Sequence, residues 1–111
     1  MHRVKIDRSA EAMVIAAGGE LDAYAAPDLT DAFAQAATAA CVVVDLQAAS
    51  FLDSTALGVV VRALREVDDR GGAARIVLPD GPARRIFEIT ALDGVLPVAP
   101  SRAHAVAAFA S

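Results

Sequence analysis

Val42-Val43-Val44-Asp45-Leu46 is the stretch that most constrains the fold. It is an apolar run broken only by Asp45. A strand with one wet face alternates apolar and polar residues, whereas a run without alternation suits a strand covered on both faces. Ala74 to Leu78 reads the same way. Between the two runs, Leu57, Val60, Val61, Leu64 and Val67 fall at helical spacing, and Gly71-Gly72 stops the pattern. Strand, helix and strand in that order predict a parallel sheet with helices packed on it.

The rest of the chain extends this pattern. Val4 to Asp7 alternates as an edge strand does, and Met13 to Ala17 is a short strand closed by Gly18-Gly19. A hairpin through Ser9-Ala10-Glu11 would join them. Glu20 to Ala26 is a connection, and Pro27 fits the first turn of a helix. Leu29, Phe33, Ala36, Ala37 and Ala40 form that helix's apolar stripe. Phe51-Leu52 runs on toward the sheet after a loop, Gln47 to Ser50. The turn Pro79-Asp80-Gly81-Pro82 opens a third helix with Ile86, Phe87, Ile89 and Leu92 on its apolar side. Val95 to Val98 is a last strand, and Ser101 caps a final helix whose Val106 and Phe109 face inward. The expected class is α/β, a mixed and mostly parallel sheet of about five strands with about four helices. One domain is expected over residues 1–111, since a chain of this length holds one core.

Composition removes several function classes. With no tryptophan, the core must come from Val, Ile, Leu and Ala, with Phe33, Phe51, Phe87 and Phe109 as its larger members. A formal net charge of -4 is the wrong sign for neutralising a nucleic-acid backbone, so no nucleic-acid partner is expected. Cys41 is the sole cysteine, which excludes an intramolecular disulfide and a cysteine metal cluster. It opens an apolar run and is expected as a small buried hydrophobe. Met1 to Asp7 lacks a signal-peptide apolar region, and no apolar run is long enough to span a bilayer. A cytoplasmic protein with no membrane partner is expected. Gly18-Gly19 lacks dinucleotide-fingerprint spacing, no phosphate-binding loop is present, and no metal-ligand spacing occurs. No cofactor and no metal are expected.

The chemistry concentrates where Phe51-Leu52 meets the helix pattern, at Asp53-Ser54-Thr55. Free N–H groups and the positive end of a helix dipole tolerate an anion there. A phosphate on Ser54 would fit the fold while changing the surface by nearly two charges. A plain N-cap is the structural alternative, since Ser and Asp side chains accept from free N–H groups. All three residues are capable of capping, which is more than a cap needs, so at least one hydroxyl should face solvent. A catalytic serine needs a base. The histidines are His2, at the terminus, and His104, in the last helix, and no G-x-S-x-G elbow surrounds Ser54. No catalytic residue is expected, and a small hydrolase is the weaker reading. Asp45 and Asp53 would share one edge, as in an aspartyl-phosphate receiver, but Lys5 is the sole lysine and lies at the wrong end of the chain.

Gly19-Glu20-Leu21-Asp22 and Phe51-Leu52-Asp53-Ser54-Thr55-Ala56-Leu57-Gly58, taken together, resemble the signature of STAS domains. The type most resembled is the stand-alone bacterial anti-sigma-factor antagonist. The likeness extends over essentially the whole chain, including Arg84-Arg85-Ile86-Phe87. The resemblance implies partner switching. An unphosphorylated antagonist binds an anti-sigma factor and frees a sigma factor. The anti-sigma factor, often itself a serine kinase, inactivates the antagonist, and a phosphatase reverses this. The resemblance places the phosphate on Ser54, with Thr55 as the lesser candidate. It places the partner surface on Asp22, Ala23 and Tyr24 together with Asp53, Ser54, Thr55, Ala56, Leu57 and Gly58. Ala56 departs from the pattern, which has glycine two residues after the phosphoserine, and its methyl is expected to crowd an approaching kinase. The alternative within the family is a STAS subunit that uses the same helix edge to bind an ABC-type lipid-transport ATPase.

Overall fold

The computed structural model describes residues 1–78, 80–81, 84–85 and 98–109. The chain starts with an antiparallel pair, β1 (His2–Arg8) and β2 (Met13–Leu21). Ser9 closes their turn: its hydroxyl donates to the Ala12 carbonyl at 2.9 Å and accepts from the Ala12 N–H at 3.1 Å. Helix α1 (Ala26–Gln35) follows, then β3 (Cys41–Asp45), β4 (Ala49–Leu52), α2 (Ser54–Asp69) and β5 (Ala73–Val77). A two-residue strand β6 (Val98–Ala99) and the short helix α3 (Arg102–Ala107) complete the described elements. Strand order is β1-β2-β3-β5-β6, and β4 pairs β2 off this path, so the sheet has six strands. All pairs after the first are parallel.

The predicted α/β class and mixed, mostly parallel sheet are present. The sheet gains one strand over the sequence reading because Ala49–Leu52 pairs with β2 in its own right. Of the expected third helix, Arg84 and Arg85 are helical, while Ile86, Phe87, Ile89 and Leu92 lie outside the described residues, as do Val95 to Pro97.

The unalternating run behaves as its composition predicts. Val42, Val43 and Val44 are all fully buried, on alternate faces of the sheet. Ile15, Val42, Val44 and Ile76 pack with Leu29 of α1 and Leu57, Val60 and Leu64 of α2. On the other face Val14, Val43 and Val77 pack with Ala105 of α3. Asp45 interrupts the run for a reason. Its carboxylate accepts from Arg102 Nε at 2.9 Å, and Arg102 also reaches Asp7 at 3.0 Å. The hydrogen bond to Asp45 does most to raise the Arg102 pKa above its ordinary value; partial burial opposes it and Asp7 adds to it. Arg102 thus ties α3 to β1 and β3. At the other end of the sheet Arg70, just past α2, donates to the carbonyls of Ala36 and Ala39 at 2.9 and 2.8 Å, tying the end of α2 to the turn that follows α1.

Several local expectations are corrected. Gly18-Gly19 do not end β2, which runs on to Leu21; Gly19 adopts φ 80° and the register with β4 shifts there, as a bulge requires. The stripe of α1 is Leu29, Ala32 and Ala36, with Phe33 half-buried and Ala37 and Ala40 exposed, because the helix ends at Gln35. Phe51 is no core residue. It is 52% exposed, because β4 turns Leu52 toward the core and Phe51 away from it. Cys41 is half-buried at the start of β3, and Val106 and Phe109 pack only partly against the smaller core cluster.

Candidate functional site at the start of α2

The site is built by one pairing. Leu21 of β2 lies opposite Leu52 of β4, and the Asp53 N–H donates to the Leu21 carbonyl at 3.0 Å. The next residue on one strand is Asp22 and on the other Asp53, so the two loops leave the sheet side by side. Adjacent strands are about 4.8 Å apart. Asp22 and Asp53, far apart in sequence, are therefore neighbours, and the turns they open leave the same end of the sheet.

The first loop folds on its own aspartate. Asp22 Oδ1 accepts from the Tyr24 N–H at 3.0 Å, and the Asp22 carbonyl accepts from the Ala25 N–H at 3.0 Å. Ala25 is drawn into the core while Tyr24 is left 86% exposed. A ring so exposed packs little against the described residues, and an aromatic side chain on a tight turn suits a partner contact.

The second loop assigns its polar residues distinct tasks. Asp53 is the N-cap, with extended backbone, and its Oδ1 accepts from the Ala56 N–H at 2.9 Å. Ser54 and Thr55 are then the first residues of α2, both exposed. Neither hydroxyl has a hydrogen-bond partner among the described residues. The sequence left Asp53 and Ser54 as alternative caps, and the structure selects Asp53. Asp45 and Asp53 do not form an acidic pair, since Asp45 is held by Arg102 and Asp53 by the Ala56 N–H.

Ala56 and Leu57 require correction. Ala56 is 0% exposed and Leu57 6%, both within the main core cluster. The helix rotates them inward because Asp53, Ser54 and Thr55 occupy the outward turn. The Ala56 methyl therefore cannot crowd a kinase; both residues hold the helix start against the sheet, and only the edge of Leu57 reaches the surface, in the groove beside Gly58. Gly58 is exposed. Beyond Gly58, Val61, half-buried, and Arg62, exposed, border a groove of about 480 Å³ that Ser54 also lines; the sequence reading put Val61 on the apolar stripe and did not single out Arg62. Their spacing of three and four residues from Gly58 was the available signal.

The histidines are accounted for elsewhere. His2 Nε2 lies 2.7 Å from Asp28 of α1, and His104 Nδ1 lies 2.9 Å from the Ser101 hydroxyl. Neither is partnered with Ser54. No group of side chains among the described residues is arranged to hold a metal ion. No helix among them is long and apolar enough to cross a membrane.

Comparison with known proteins agrees with this architecture. An anti-sigma-B factor antagonist of Listeria monocytogenes is 31% identical over 94 residues, covering 83% of this chain and 82% of the relative. A crystal structure of an anti-sigma factor antagonist from Mycobacterium paratuberculosis superposes with a TM-score of 0.89 at 24% identity, covering 100% of this chain and 96% of the other. The Bacillus cell fate determinant SpoIIAA, solved in its phosphorylated form, superposes at 0.76 with 22% identity, covering 96% and 98%. The family model described as the STAS domain matches residues 3–105, and the chain belongs to that family.

Proposed function

We propose that this protein is an anti-sigma-factor antagonist controlled by phosphorylation of Ser54. Unphosphorylated, it binds an anti-sigma factor that is also a serine kinase, so that a sigma factor is released. Phosphorylated, it lets go, and a phosphatase restores it. The cytoplasm is where such an exchange takes place. The observation that carries this reading is the division of labour at the helix start. Asp53 does the capping, so the Ser54 hydroxyl is exposed, with no hydrogen-bond partner among the described residues, beside the positive end of α2. The adjoining Asp22 to Tyr24 turn adds an exposed aromatic residue to the same surface. The Listeria relative at 31% identity is named as an antagonist, which supports an anti-sigma partner over a transport ATPase and a binding role over catalysis.

Incubation with a cognate anti-sigma kinase and ATP is expected to add one phosphate, which peptide fragmentation would place on Ser54. A phosphate only on Thr55, or no phosphate with any candidate kinase, would overturn the assignment.

A further inference from the structure

Gly58 stands inside α2, the fifth residue of a helix that runs from Ser54 to Asp69. Glycine weakens a helix interior relative to alanine. The other described glycines each have a reason within the fold. A Cβ at Gly18 would meet Arg3 at 2.8 Å and Ala48 at 2.9 Å, and one at Gly72 would meet the Ala40 carbonyl at 2.8 Å. Gly19, Gly71 and Gly81 have φ of 80°, 85° and 135°, which side-chain-bearing residues rarely adopt. Gly58 has neither reason. Its φ is not positive, and a Cβ built on it finds nothing within 4 Å. Nothing described in the chain requires glycine there, yet the helix carries its cost.

The surroundings indicate what does require it. Gly58 lies one turn beyond Ser54, on the bank of the groove of about 480 Å³ that Leu57, Val61 and Arg62 also line. Leu57 and Val61 make its apolar part, and the exposed Arg62, which has no ion-pair partner among the described residues, stands at its rim. A missing Cβ lets another main chain approach the helix backbone directly. We infer that the anti-sigma factor lays a stretch of its own main chain across the Gly58 backbone, with an apolar side chain over Leu57 and Val61. Gly58 is then a steric determinant of partner choice, and the contact surface extends from Ser54 down α2 to Arg62. This rests on the proposed function and adds to it how the partner is seated.

The test uses Gly58→Ala and Gly58→Gln, with Asp68→Gln as a control outside the groove. Binding is measured by calorimetry against purified serine-kinase-class anti-sigma factors encoded in the same genome. Both Gly58 variants should fold, and Gly58→Ala should melt a few degrees higher than wild type, as removal of an interior helix glycine predicts. Affinity should move the other way, falling about ten- to a hundredfold for alanine and further for glutamine, as expected for overpacking a close contact. Asp68→Gln should bind as wild type does. Undiminished binding by Gly58→Gln would overturn this inference and leave the proposed function standing. A lower melting temperature for Gly58→Ala would also overturn it, since the glycine would then serve the fold. Failure of the wild-type chain to bind any of these factors would overturn the proposed function, and this inference with it.

Discussion

Ser101 stands at the N-cap of α3, where its hydroxyl accepts from the His104 N–H at 3.2 Å and meets His104 Nδ1 at 2.9 Å. Ser54 stands one position further into α2, where Asp53 has already taken the capping bond. Two serines at two helix starts thus have opposite roles. One is consumed by the fold, and a group added to it would break the cap. The other is spare, and a group added to it leaves every described hydrogen bond in place. Neighbouring residues, more than the serine itself, decide whether such a site is a structural element or a place for modification.

The largest expected effect breaks function without touching the fold. A phosphate on Ser54 sits beside the like-charged Asp53 carboxylate, and pressing that dianion against a partner costs desolvation. Affinity of the phosphorylated chain for its anti-sigma factor should fall roughly a thousandfold or more. Ser54→Asp should reproduce part of the loss and Ser54→Ala little of it. Circular dichroism spectra and melting temperatures of all three should match wild type. An unfolded Ser54→Asp would mean the hydroxyl is structural after all, as at Ser101.

A smaller effect sharpens the role of the residue behind Ser54. Ala56→Gly removes a fully buried methyl and a good helix former from the first turn. Together these should cost roughly 1–2 kcal/mol, read as a lower midpoint in urea unfolding. The phosphorylation rate of the folded variant should stay the same, because the methyl lies under the helix. A faster rate would show that Ala56 shapes the kinase approach.

The smallest pair compares the caps directly. Asp53→Ala should lose about 1 kcal/mol, since α2 is a long helix with Val60, Leu64 and Val67 packed in the core. Ser101→Ala should lose less, because α3 spans only Arg102–Ala107 and buries Ala105 alone. Thermal melts of the two variants should rank in that order. Equal or reversed losses would show that the two helix starts are not supported in the way their buried faces suggest.

Much of this was legible in the chain because it depends on local periodicity. Val42-Val43-Val44 announced a strand covered on both faces, and Leu57, Val60, Leu64 and Val67 announced the inner face of α2. The junction Asp53-Ser54-Thr55 was legible as a helix start, since capping chemistry is set within one turn. Phe51 misled because four residues of β4 are too few for alternation to declare which side is inside. Gly18-Gly19 misled because a bulge and a strand end carry the same local signal until the partner strand is known.

What the sequence determined by itself was the order of elements, the buried residues of the long helix and strands, and a polar step rich in hydroxyls. Each follows from contacts between residues near one another in the chain. What only the tertiary structure decided was the choice among those polar groups and their company. The Asp53 carboxylate took the Ala56 N–H, the helix turned the Ala56 methyl inward, and the pairing of Leu21 with Leu52 set the Asp22 turn beside the start of α2. A cap depends on how the chain enters the helix, burial depends on how the helix is rolled onto the sheet, and adjacency of two loops depends on which strands pair. Those are properties of the packed sheet, in which β4 returns to the edge of β2 that β3 has left, and no local pattern in the chain encodes them.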